Sequence, residues 1–166
     1  MKYYGKYAGA VEQNVDPELR GRVQVSCPAV YGEGRLHWAR PCVPYAGPGR
    51  GVLAVPPEGA DVWIEFEAGD PDYPIWTGCY WKPGDAPSEA RSPDVKLFKP
   101  DAMTLVVDDA PSAGSVSISF ALPSSVLEIR LSSEGITLDA GNLPVAINGV
   151  VVSLNDGNLD VLQCSR

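Results

Sequence analysis

Apolar and polar residues alternate along short runs of this chain, and each run is closed by Gly, Pro or Asp. In residues 60–66, Val62, Ile64 and Phe66 fall on one face, while Trp63 and Glu65, continued by Glu67, fall on the other. That is the period of a half-buried β-strand. Turn residues flank it, Pro56-Pro57-Glu58-Gly59 before and Gly69-Asp70 after. Upstream, Gly21-Arg22-Val23-Gln24-Val25 opens a second strand over residues 21–26. Further apolar runs predict strands over residues 7–11, 36–39, 51–55 and 73–80. No window of a dozen residues keeps helical spacing without a Gly or Pro breaking it, so the chain is read as all-β.

Five or six short strands with Gly-rich turns fit a small Greek-key barrel of the OB type, with a six-stranded sandwich as the alternative, because periodicity fixes strands and not their pairing. The pattern changes after residue 82. Residues 83–100, rich in Pro and polar side chains, read as an extended linker between a barrel at 1–82 and a second region at 101–166. In that region Val116, Ile118 and Phe120 alternate with serines, Leu127, Ile129 and Leu131 with Glu128 and Arg130, and Ile136 and Leu138 with Thr137 and Asp139. Asn148-Gly149 between Val145-Ala146-Ile147 and Val150-Val151-Val152 predicts a two-residue hairpin.

Composition separates the two regions further. Of the 14 aromatic residues, 12 lie at or before Trp81, so only the first region has the bulk to fill a core of its own. The thin aliphatic faces of the second fit either a small sandwich or an axis shared by identical chains. Small and branched side chains suit a narrow axis, which makes Val116, Ile118, Phe120, Leu127, Ile129, Leu131, Ile136 and Leu138 its candidate lining. A net charge of −8, with 13 basic residues against 21 acidic, argues against nucleic acid as a partner. The N-terminus lacks an apolar signal core and no run is long enough to span a membrane, so synthesis in the cytoplasm is expected.

Catalytic and metal chemistry find little support. Glu65 and Glu67 share a strand face without an evident cleft to raise the pKa of either. His37, the single histidine, has Cys42 as its nearest thiol in sequence. Cys27, Cys42, Cys79 and Cys164 lack paired spacing and are expected to be buried free thiols. Asp70 and Asp72, like Asp108 and Asp109, lack calcium-loop spacing and read as turn residues. No enzyme activity, cofactor or metal is expected.

An ordered series remains: Gly9 with Val11, Asp16-Pro17, Gly21-Arg22-Val23, Trp38, Pro41, Gly47 with Gly51, Pro56 to Gly59, Val62, Ile64, Phe66, Gly69-Asp70, Asp72-Tyr73-Pro74 and Gly78. Across residues 7–81 it resembles the N-terminal OB domain of phage baseplate assembly protein V and of VgrG-type spike proteins. The resemblance implies an intertwined trimeric β-helix or β-prism after the barrel. It also implies a homotrimeric central spike of a contractile injection machine, assembled in its baseplate and touching the target membrane transiently. With the barrel starting close to Met1, a separate hub protein is expected. The linker has no room for the lysozyme domain some phage spikes insert. His37 alone cannot make the His-x-His iron apex of some short spikes, so the segment 155–161 is expected to form a blunt platform for a PAAR-type tip protein. The alternative reading is a soluble OB module that binds oligonucleotide or glycan and carries an oligomerising β tail.

Overall fold

The computed structural model describes residues 1–111 and 114–141. The chain divides into two compact units, the first Met1–Ala86 and the second beginning at Pro87. The predicted hairpin around Asn148-Gly149, the platform at 155–161 and Cys164 lie outside the described residues.

The first unit contains β1 (Tyr7–Gln13), β2 (Val23–Ser26), a one-turn helix α1 (Pro28–Tyr31), β3 (Leu36–Pro41), a small hairpin of β4 (Ala46–Gly47) and β5 (Arg50–Gly51), β6 (Asp61–Phe66) and β7 (Pro74–Cys79). Five of the strands close a barrel in the order β1-β2-β3-β7-β6. β3 and β7 run parallel and the other neighbours antiparallel. This is OB topology, so the barrel reading holds over the sandwich. The alternation in β6 becomes burial: Val62 and Ile64 are fully buried beside Val11, Val23, Val25, Cys27, Ala39 and Trp76. Tyr3, Tyr7 and Tyr31 pack against Phe66 with ring centroids 5.6–6.0 Å away.

Closing so small a barrel brings backbones together at Gly9. A Cβ there would collide with the Ile64 side chain and the Ser26 carbonyl oxygen, so any side chain at this crossing forces β1 or its neighbours to shift.

Two sequence expectations change here. The run 51–55 does not extend a strand: pairing stops at Gly51, and Pro56-Pro57 beyond it offers no backbone N–H to a ladder. The helix α1 was not expected, because Pro28 reads as a strand breaker and a single turn carries no periodicity; here Pro28 occupies the first turn, where its missing N–H costs nothing.

The second unit is an antiparallel meander of β8 (Val95–Phe98), β9 (Met103–Asp108), β10 (Ser115–Ala121), β11 (Val126–Ser132) and β12 (Gly135–Asp139), each paired with the next. The strand β8 falls inside residues 83–100, so the extended linker expected there is shorter. Lys96 and Leu97 pair with Val107 and Val106, which the Pro-rich sequence upstream does not announce. The described residues of one chain show this meander and no β-helix or β-prism.

Candidate functional site

Residues directly opposite in an antiparallel ladder share a face. Val116 stands opposite both Val107 and Leu131, and Leu131 opposite Ile136. Ile118 stands opposite Leu105 and Ile129, and Ile129 opposite Leu138; Phe120 stands opposite Met103 and Leu127. All eight candidate axis residues therefore lie on one face. The opposite face carries Ser115, Ser117, Ser119, Glu128, Arg130, Thr137 and Asp139. The apolar face is open in a single chain: Ile118, Phe120, Ile129 and Leu131 are 43–46% exposed and Leu138 is 56% exposed. Ile136 is exposed, while Val116 and Leu127 are half-buried.

The sequence reading missed Met103, Leu105 and Val107, which continue this face on β9. Their alternation was present but blurred, since Val106 fills a slot that a polar residue would otherwise mark.

The barrel motif residues serve its closure. Asp16 is 6% exposed and organises the loop between β1 and β2. Its Oδ1 accepts from the Glu18 N–H (3.0 Å) and from Arg22 Nε (3.1 Å) and Nη2 (2.7 Å). Its Oδ2 accepts from the N–H groups of Arg20 (2.8 Å) and Arg22 (3.1 Å). The Arg22 guanidinium, helped by those N–H donors and against the effect of burial, holds the Asp16 carboxyl far below the usual carboxylate range. The guanidinium also lies over the Trp38 ring, 5.3 Å from its centroid.

Gly21 has φ +73°, a left-handed conformation that strains any other residue, and a Cβ there would meet the end of the exposed Leu53 side chain at 2.9 Å. Its carbonyl accepts from Trp76 Nε1 at 3.2 Å. Val23 is fully buried. Gly59 donates its N–H to the Val11 carbonyl at 2.8 Å, joining the Pro-Pro-Glu-Gly turn to β1. The Gly69 carbonyl accepts from the Tyr3 N–H at 2.8 Å, and Asp70 pairs with Lys2 at 3.1 Å, so this motif latches the N-terminal segment. Lys2 lowers the Asp70 pKa accordingly.

Glu65 and Glu67 do not share a strand face. β6 ends at Phe66, and Glu67 begins a tight turn whose carbonyl accepts from the Asp70 N–H. Glu65 pairs with Lys6 at 3.0 Å and Glu67 with Arg40. His37 stacks on Tyr31 with centroids 3.9 Å apart, and the Tyr31 hydroxyl donates to the Pro71 carbonyl at 2.7 Å. Cys27 is buried, which raises its thiol pKa, but Cys42 and Cys79 are exposed, against the expectation of buried thiols. Cys79 ends β7 on the barrel surface rather than entering the core. Among the described residues no group of three or more His, Cys, Asp or Glu side chains could hold a metal ion, and no helix is long and apolar enough to cross a membrane.

A closed OB barrel followed by a separate sheet defines an all-β protein of two units, the second with an apolar face about half exposed in one chain. Comparison with protein families is consistent with that class. Residues 7–81 match the Type VI secretion system/phage-baseplate injector OB domain, and residues 95–160 match the phage baseplate V C-terminal trimerisation domain. The chain belongs to the phage baseplate V family, as a structural component with a trimerisation domain. A search of curated proteins finds no match.

Proposed function

We propose that the chain is the homotrimeric central spike of a contractile injection machine, joining the hub and tube to the tip and helping to puncture the target envelope. The observation that carries this reading is the continuous apolar face of the β9–β12 sheet, left about half exposed along β10 and β11 in one chain. Three such faces brought around one axis bury one another, and the polar faces then point outward. Each half-exposed aliphatic side chain covered in this way contributes on the order of 1 kcal/mol per chain. A needle under axial load gains from such a shared core, since no chain can leave it alone.

The barrel, whose core is complete within one chain, would form a collar that meets a separate hub protein. A PAAR-type protein would seat on the far end of the needle. Light scattering on the purified chain tests the assembly: a particle of three times the 17.7 kDa chain mass is expected. A monomer or dimer would overturn the reading. Co-purification with hub and tip proteins tests the two ends separately, and absence of a complex with either removes that partner.

A further inference from the structure

A cleft opens on the outer face of the barrel, lined by Arg20, Arg22, Trp38, Arg40, Asp72 and Tyr73. Trp38 and Arg40 belong to β3, and Trp38 pairs across to Gln24 of β2. Arg20 and Arg22 come from the loop joining β1 to β2, and Asp72 and Tyr73 from the turn joining β6 to β7. In OB barrels the second and third strands, with the loops after the first and fourth, form the face that takes oligonucleotides or oligosaccharides. The cleft is lined from three of those four elements: the third strand and the loops after the first and fourth.

Its charge decides between the two ligand classes. Each guanidinium already faces a carboxylate: Arg20 pairs with Glu18 at 3.1 Å, Arg22 with Asp16 at 2.7 Å and Glu18 at 3.0 Å, and Arg40 with Glu67. With Asp72 on the rim, four carboxylates stand against three guanidinium groups. A phosphate chain would find no net positive field and would meet those carboxylates at close range. The array instead sets hydrogen-bond donors beside acceptors, next to the rings of Trp38 and Tyr73. A sugar hydroxyl both donates and accepts, so one ligand satisfies both kinds of group while its apolar ring face lies on Tyr73, the Trp38 ring being covered by Arg22.

Part of the array is fixed in advance. The Arg22 and Asp16 side chains are 13% and 4% exposed, and Arg22 holds its place over Trp38. The Arg20 and Arg40 pairs are exposed, so their partners exchange at little cost.

We propose that this cleft binds a neutral oligosaccharide. The proposal is independent of the spike reading, since every residue involved belongs to the barrel. Its test titrates the full chain with maltotetraose, cellotetraose and chitotetraose, read by tryptophan fluorescence and calorimetry. An eight-nucleotide thymidine strand and a hexaglutamate peptide serve as competitors of other classes. At least one sugar should bind with a Kd of roughly 1 mM, and Tyr73→Ala should weaken it about tenfold or more. Tyr73 is 57% exposed, so its removal leaves the core intact, and unchanged circular dichroism checks this. Arg40→Ala provides the second variant. Failure of all three sugars to bind up to about 10 mM overturns the proposal, as does sugar binding that both variants leave unchanged. Tighter binding of the thymidine strand or the peptide would overturn it in favour of that ligand class.

Discussion

In the barrel, β6 alternates Val62, Ile64 and Phe66 with Trp63 and Glu65, and the first three are at most 7% exposed. In the second unit, β11 alternates Leu127, Ile129 and Leu131 with Glu128 and Arg130 just as regularly, yet Ile129 and Leu131 remain 45% and 46% exposed. The barrel has three tyrosine rings against Phe66 and a ladder that closes on itself. Among the described residues the meander runs from β8 to β12 without closing, and its side chains are mostly aliphatic. Alternation thus specifies a strand. Closure and side-chain volume decide whether its apolar face is buried within one chain or between chains.

The comparison breaks most visibly at Ile129, which stands between Ile118 and Leu138 in register. Ile129→Asp would bury an unpaired carboxylate in each copy of the proposed interface, at about 3–5 kcal/mol per chain. The expected result is loss of the trimer by light scattering, with the near-ultraviolet dichroism of the barrel unchanged. A trimer of unaltered mass would show that the interface lies elsewhere.

The reverse experiment targets the barrel. Ile64→Ala removes a fully buried side chain from the middle of its core and should cost about 2–5 kcal/mol. Barrel unfolding, followed by tryptophan fluorescence, should shift to lower denaturant while the trimer mass persists. Simultaneous loss of both would mean that the two units do not fold independently. A milder version is Gly9→Ala, whose added methyl collides with Ile64 and Ser26 and should cost about 1–3 kcal/mol. If Gly9→Ala leaves the unfolding midpoint in place, β1 has room to shift.

Strands that alternate cleanly were legible in the sequence, and so was the face on which the eight apolar residues of β10 to β12 fall. Register is what turned three separate alternations into one surface, and register depends on turn geometry that spacing does not encode. β8 and β9 escaped notice because Val106 breaks the polar half of the pattern and because β8 follows a Pro-rich stretch. The cleft on the barrel was only half legible. Trp38, Arg22, Asp72 and Tyr73 belong to the recognised series, but Arg20 and Arg40 do not, and all six meet only through strand pairing and loop closure. Asp16 stood in that series only as part of Asp16-Pro17. Nothing in Asp-Pro announces that one carboxylate will accept five hydrogen bonds.

The smallest effect concerns acid, and it again separates the two units. The folded-state pKa of Asp16 lies below its ordinary value of 3.8, chiefly because Arg22 donates to the charged form. A lowered carboxylate pKa contributes stability that is fully present above the ordinary value and is lost as pH falls toward the folded one. The barrel's thermal midpoint should therefore stay level from neutrality to about pH 4 and decline below it. Asp70 and Glu89 also have lowered pKa values, through Lys2 and Lys99, but those pairs are exposed and salt screens them. In high salt the remaining acid limb should belong to Asp16. Asp16→Asn should flatten that limb and lower the plateau, because an amide cannot accept at both ends from the N–H groups now held by Oδ1 and Oδ2. An unchanged limb in this variant would assign the acid sensitivity to another group. A matching change in trimer mass would tie the loop to the second unit rather than to the barrel.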